Sequence, residues 1–405
     1  MAAVELFFFY LLGAVLPLSI AAINGCQGAL SLFFLARLLR GRVRLPLAAW
    51  ILVAFFGWSL AAALLSPFQR EALDGVLNYW SWSALFVGLG LPAAIRERTG
   101  RFADFLAVGV LLTLPWTAAE FFFGTDIFHY QALWQRVPSG TVNGFGFFSH
   151  HLTYGGSMAI VLFFLAGVAL YGPRRLRWAK GAGAAAAAVN LGLSLARTYY
   201  LAALPAAAVV LWGKGRRRVL QALAVAVLAG AALLLAGPAS IRQRILSIGD
   251  MSNASNAERI YLWKAALHMW ADRPVAGWGP GVYEQAAEPY KAPYASKIHY
   301  PDHEGFKTKS HCHNLYLMVA LQTGTVGLLL FLAFCAAAIL RILRHPDPAL
   351  RFGVAAAFVA FLGGGFFEFN GGDAEVATLM FFLLGLALAP PVGPSGLSPG
   401  SEGAG

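Results

Sequence analysis

His313 and Asn314 open the pattern with the clearest chemical potential. Nine residues follow, then Gly324, two more residues and Gly327. The pair stands where a long polar stretch enters an apolar one. A histidine at such a junction can be partly desolvated, which favours the neutral imidazole. Neutral imidazole is a competent general base near pH 7. Asn314 is placed to hold a neighbour or to cap the helix that follows. The plainer reading of His313 is an interfacial residue at a helix start.

Two arginines join it. Arg197 lies between the apolar runs Leu191 to Ala196 and Tyr199 to Leu211. Arginine in apolar surroundings is costly and usually has a partner or a function. Its planar cation suits phosphate oxygens; the alternative is a side chain snorkelling to the interface. Arg259 follows Ser255-Asn256-Ala257-Glu258, a capping-box pattern that predicts a helix near 256–271, stopped by Asp272-Arg273-Pro274. Arg259, Trp263 and Trp270 then share one face, as on an amphipathic helix lying at the headgroup level. Arg259 reads as a second phosphate clamp, or as a cation over Trp263. Together the two arginines and the histidine could bind a diphosphate and deprotonate an acceptor beside it.

Weaker candidates are His150, His151, His311, Tyr316, His299 and His303. His150 and His151 read most simply as cap residues. His311 and His313 could bind a metal, but no carboxylate or thiolate in the sequence completes a convincing set, so no metal is expected. Glu368 and Asp373 read as a supporting pair or a plain turn.

The elements that hold these residues are membrane spans. Of 405 residues, 59% are hydrophobic and 12% charged, and mean hydropathy is +0.64. An average soluble domain is about 25% charged, so an ordinary soluble enzyme is excluded. The spans fall near 5–22, 24–38, 45–65, 76–95, 102–122, 150–171, 180–196, 198–213, 219–236, 313–335, 351–369 and 374–390. The expected fold is all-α: a polytopic integral membrane protein of about twelve transmembrane helices. The apolar start, 6–22, reads as the first span and not as a cleaved signal peptide. Cys26, Cys312 and Cys335 imply no disulfide framework.

Net charge is +11. The basic residues collect in alternate loops: Arg37 to Arg44, Arg96 to Arg101, Arg174 to Lys180, Lys214 to Arg218 and Arg341 to Arg351. The positive-inside rule makes that face cytoplasmic, puts both termini inside and removes the need for a nucleic-acid partner. The domains are then 1–236 with nine spans, an outer loop 237–312 with short helices, 313–390 with three spans, and a flexible tail 391–405. A second outer loop, 123–149, holds Trp134 and Arg136 and leads to His150. Loops of this length are usually functional. No repeat, Walker motif, GxGxxG after a strand or HExxH is present.

The pattern His313-Asn314-x9-Gly324-x2-Gly327, with Arg197-x3-Leu201, resembles the signature of bacterial O-antigen ligases, within a superfamily that includes O-antigen polymerases and periplasmic O-linked protein glycosyltransferases. The resemblance covers about 190–330. It implies a GT-C-like glycosyltransferase of the inner membrane whose large loop is periplasmic. Its donor would be an undecaprenyl-diphosphate-linked O-antigen, its acceptor a sugar hydroxyl of lipid A–core, with membrane lipids around it and no cofactor. Direct displacement would invert the anomeric centre. By that analogy His313 is the general base. Arg197 and Arg259 bind the diphosphate. His311, Asn314, Tyr316, Trp263, His150 and His151 support them. The motif does not separate ligase from polymerase. Arg259 is followed by Trp263, not Leu, so its role rests on position alone. A transporter or flippase is the reading from another class. It predicts charge at the midplane of several spans, where these spans are nearly free of it.

Overall fold

The computed structural model describes residues 2–124, 143–237, 239–250, 253–295, 297 and 310–391. Trp134, Arg136, His299 and His303 lie outside them. Every regular element among the described residues is helical. Six helices are long and apolar enough to cross a membrane: Ile20–Leu39, Leu47–Leu64, Thr99–Phe123, His151–Tyr171, Arg216–Ala236 and Leu315–Leu343. Shorter apolar helices run over Ala2–Val15, Pro348–Gly364 and Ala374–Leu388.

In chain order these are α1 (Ala2–Val15), α2 (Ile20–Leu39), α3 (Leu47–Leu64), α4 (Gln69–Val76), α5 (Ala84–Gly90), α6 (Ala93–Arg96), α7 (Thr99–Phe123), α8 (His151–Tyr171), α9 (Arg177–Leu193), α10 (Arg197–Trp212), α11 (Arg216–Ala236) and α12 (Ala239–Leu246). Then follow α13 (Ala254–Asp272), α14 (Tyr283–Ala286), α15 (Glu288–Ala295), α16 (Leu315–Leu343), α17 (Pro348–Gly364) and α18 (Ala374–Leu388).

The expected spans 5–22, 24–38 and 76–95 differ. The first break falls at residues 16–19, where Pro17 interrupts the chain and the Ser19 hydroxyl accepts from the Ala22 amide, so α2 starts earlier than 24. The expected span 76–95 is not one helix. A 3₁₀ turn, Leu77–Ser83, separates α4 from α5, and Leu91-Pro92 separates α5 from α6. Aromatic packing holds the turn. Trp82 stacks on Phe55 and donates to the Gly371 carbonyl at 2.7 Å; Tyr79 donates to Gln322 at 3.0 Å.

α8 is apolar all round and therefore buried. It packs on α9, α10, α17 and α18. A Cβ on Gly167 would stand 2.3 Å from the Gly353 Cα, so small residues let α8 and α17 approach closely. This fixes the start of α8, with His150 and His151, beside the α17–α18 turn.

The segment 253–295 carries its own apolar cluster, in which Leu262, Met269, Tyr283 and Cys312 pack on Met318 and Leu321 of α16. Trp270 packs against this cluster and Trp263 faces Phe367, so that face of α13 is covered by protein and not by headgroups. The capping box does not form either. Asn253 precedes α13 without a side-chain cap bond, and the Ser255 hydroxyl instead accepts from Arg259 at 2.9 Å.

The first glycine of the motif docks this segment. Gly324 has φ +65°, which breaks α16, and a Cβ there would stand 1.9 Å from the Val275 carbonyl oxygen. The break leaves carbonyls without helical partners. Trp278 and Gly279 amides reach those of Leu321 and Gln322 at 2.7 and 3.0 Å, and the Trp58 indole reaches that of Thr323 at 2.7 Å. Each freed acceptor is thereby satisfied.

Candidate active site

His313 sits one residue before the cap of α16. Asn314 caps that helix, its Oδ1 accepting from the Leu317 amide at 2.9 Å. Its Nδ2 donates to the Phe366 carbonyl at 2.9 Å, and the Leu315 amide donates to Gly365 at 2.7 Å. These bonds clamp the α17–α18 turn to the start of α16. They bring Glu368 beneath His313, whose Nδ1 lies 2.9 and 3.1 Å from the two carboxylate oxygens. His313 itself has φ +51°, a left-handed conformation uncommon for residues other than glycine. Such strain persists where the surroundings over-determine it.

Glu368 is 3% exposed. Burial opposes its charge, but His313, His311 and Arg259 more than offset that and hold the carboxyl well below the usual carboxylate range. An ionised carboxylate only accepts. Nδ1 of His313 therefore donates to it; whenever the ring is neutral the lone pair is then on Nε2, the arrangement of an oriented base. Asp373 behaves oppositely. Burial, then the charges of Glu368 and Glu375, push it well above the usual range against a hydrogen bond with Thr153. Of the expected Glu368/Asp373 pair, only Glu368 contacts the histidine.

His313 shares a cavity of about 230 Å³ with Arg197, Arg259, His150 and His151. Arg197, first residue of α10, is 7% exposed. It donates to the Ser247 carbonyl and hydroxyl at 2.9 and 2.5 Å and to Asn256 and Asn253 at 2.7 and 3.3 Å. It is a held cation, not a snorkelling one. Arg259 donates from Nε to the Phe367 carbonyl at 3.1 Å, and no ring stacking with Trp263 places it. Glu258, buried, lines the same cavity; in the sequence it stands out only as a member of the capping-box pattern.

The supporting residues divide. His150 caps α8, its Nδ1 accepting from the Leu152 amide at 3.2 Å, and His151 Nδ1 lies 3.0 Å from the Ser194 carbonyl oxygen. Trp263 donates to the His313 carbonyl at 3.4 Å. Asn314 and Tyr316 do not line the cavity. Tyr316 donates to Leu362 at 2.8 Å and packs on Phe366, so it braces α17. His311 Nδ1 accepts from the His313 amide at 3.2 Å and lies 3.7 Å from Glu368.

The expectation that no carboxylate joins the histidine pair is corrected. Ligand atoms of His311, His313 and Glu368 lie within 4.8 Å of one another, a set that suits a metal by type. Nδ1 of His313 is already hydrogen-bonded to Glu368, and Nδ1 of His311 to the His313 amide. Cys312 is buried and its thiol is pushed far up by that burial, which makes it a poor nucleophile.

Residues 182–332 match the family model described as O-Antigen ligase. That segment belongs to the O-antigen ligase superfamily. The family is associated with glycosyl transfer in lipopolysaccharide synthesis. The matched residues include Arg197, Arg259, His313 and both motif glycines; Glu368, His150 and His151 lie outside them. No curated protein matches the chain.

Proposed function

We propose that the protein is an O-antigen ligase that moves a glycan from undecaprenyl diphosphate to a sugar hydroxyl of lipid A–core. The observation that carries this is the meeting of His313, oriented by Glu368, with Arg197 and Arg259 around one cavity. Nε2 of His313 takes the proton of the acceptor hydroxyl. The acceptor oxygen forms a bond to the anomeric carbon as the bond from that carbon to the diphosphate oxygen breaks, with inversion. The undecaprenyl diphosphate leaves with the bonding electron pair. Arg197 and Arg259 bind it and offset its charge, and their held positions cost little reorganisation as charge develops. No step uses a metal or a nucleotide.

The proposal carries a topology. About twelve spans place residues 1–236 and 313–390 in the inner membrane, 237–312 on the periplasmic side with the site, and both termini with the tail 391–405 in the cytoplasm. Arginines at the start of α7 and after α8 gather at the other end of the bundle, which supports this orientation.

The test is transfer by purified protein given undecaprenyl-diphosphate glycan with lipid A–core, with a second lipid-linked glycan, or with a protein acceptor. Transfer to lipid A–core that is lost in His313→Ala supports the ligase. Chain extension on the lipid-linked glycan makes it a polymerase, and transfer to protein makes it an O-linked glycosyltransferase. Movement of the donor across the bilayer without transfer makes it a flippase.

A further inference from the structure

The end of the bundle opposite His313 holds a second, larger cavity of about 700 Å³. α8 connects the two ends. His151, its first residue, lines the small cavity; Pro173 and Arg175, just past its last, line the large one. Its 21 residues separate them by about 31 Å at 1.5 Å per residue.

The walls are mainly cationic: Arg96, Arg98, Arg101, Arg175 and Lys180. Three acids, Glu97, Asp104 and Asp347, share them. Lys180 is buried and paired with Asp104, so that charge is matched internally. Arg96 donates to the Leu91 and Pro390 carbonyls. Arg98, Arg101 and Arg175 are exposed at the rim. The first turn of α7, through Thr99, Gly100 and Arg101, also lines the cavity and turns the positive end of a 25-residue helix toward it. An anion is the ligand this wall suits.

A second observation identifies the kind of anion. An apolar groove of about 440 Å³ adjoins the cavity and shares Arg101, Asp104 and Arg175 with it. Tyr10, Phe105, Val108 and Leu176 line it, with Phe105 and Val108 exposed on the flank of α7. Arginines that merely obey the positive-inside rule need neither a cavity nor a groove. A soluble anion would use only the cationic part.

We propose that this is a binding site for an anionic phospholipid. Its phosphate sits among Arg101, Arg175 and the first turn of α7, and an acyl chain lies along Phe105 and Val108. The site is independent of the reaction assigned to the other end.

The test uses the purified full chain, stripped of lipid in detergent. Native mass spectrometry then counts bound phosphatidylglycerol, phosphatidylcholine and soluble glycerol phosphate. Phosphatidylglycerol is expected to be retained in preference to phosphatidylcholine. In Arg101→Gln/Arg175→Gln its retention falls about fivefold per cation removed. Val108→Ser keeps every charge and is expected to lower retention as well. Equal retention of the two lipids overturns the proposal, as does a preference that survives the double substitution. Full competition by glycerol phosphate, or unchanged retention in Val108→Ser, overturns the lipid assignment in favour of a simple anion site.

Discussion

Nδ1 of His313 lies 2.9 Å from a carboxylate oxygen of Glu368, across 55 residues of chain. The contact exists because Asn314 and Leu315 hold the α17–α18 turn against the start of α16. Glu368→Gln keeps the shape and removes the charge that orients the ring. We expect kcat to fall about 100-fold or more, as for other general bases that lose an orienting carboxylate, with donor KM little changed. Steady-state transfer assays check this; an unaltered kcat would detach Glu368 from the base.

The same substitution has a stability signature. The folded carboxyl of Glu368 is depressed, so the unfolded chain binds more protons in the acid range. The stability it contributes is present above the ordinary carboxylate pKa and is lost as pH falls toward the folded value. Wild-type Tm should therefore drop as pH is lowered below about 4.3, and more steeply than that of Glu368→Gln. Parallel Tm curves would contradict the ion pair.

Arg197→Ala is expected to lower the rate of transfer by about 10²- to 10³-fold, the loss seen when one preorganised charge stabiliser is removed. Arg197→Lys should not restore it, because a single ammonium nitrogen cannot reproduce the planar fork whose two ends reach Ser247 on one side and Asn253 and Asn256 on the other. Single-turnover kinetics on both variants provide the comparison. Recovery by lysine would mean that only net charge matters.

Gly324→Ala forces a side chain onto the Val275 carbonyl and into a positive φ. A cost of at least about 1–3 kcal/mol is expected from the backbone conformation alone. Tm should fall, and proteolysis should become faster in 273–281. A variant with native Tm and native protection would show that the turn docks by other means.

Addition of a metal chelator is expected to leave transfer intact, since hydrogen bonds already join His311, His313 and Glu368. Strong loss, reversed by one divalent cation, would convert this trio into a metal centre.

The sequence made the membrane class legible because apolar runs need no partner to be recognised. It also singled out His313, Arg197 and Arg259, each chemically conspicuous where it stands, and the structure brings all three to one cavity. It did not assign Glu368 to His313. That contact depends on how two distant turns are clamped, and a carboxylate after an apolar helix looks like any turn residue. The 3₁₀ turn at Leu77–Ser83 was hidden for a similar reason: its residues are apolar enough for a span, and Phe55 and Gly371 decide its geometry. The cap of α13 was misplaced because Ser255 has a competing donor in Arg259, one helical turn on.

The break at Gly324 also sets a depth. α16 has 29 residues, about 44 Å at 1.5 Å per residue, whereas the hydrocarbon of a bilayer is about 30 Å thick. The portion from Gly324 to Leu343 alone is long enough to cross it. In that placement the portion before Gly324 stands in the polar layer and carries His313 there. A lipid-linked substrate keeps its tail in hydrocarbon and its phosphates in that same layer. On the proposed reaction, the position of a glycine would thus set how high the site sits above the lipid tails. Moving the break by one helical turn would shift that height by about 5 Å, enough to part His313 from the acceptor hydroxyl whose proton it is proposed to take.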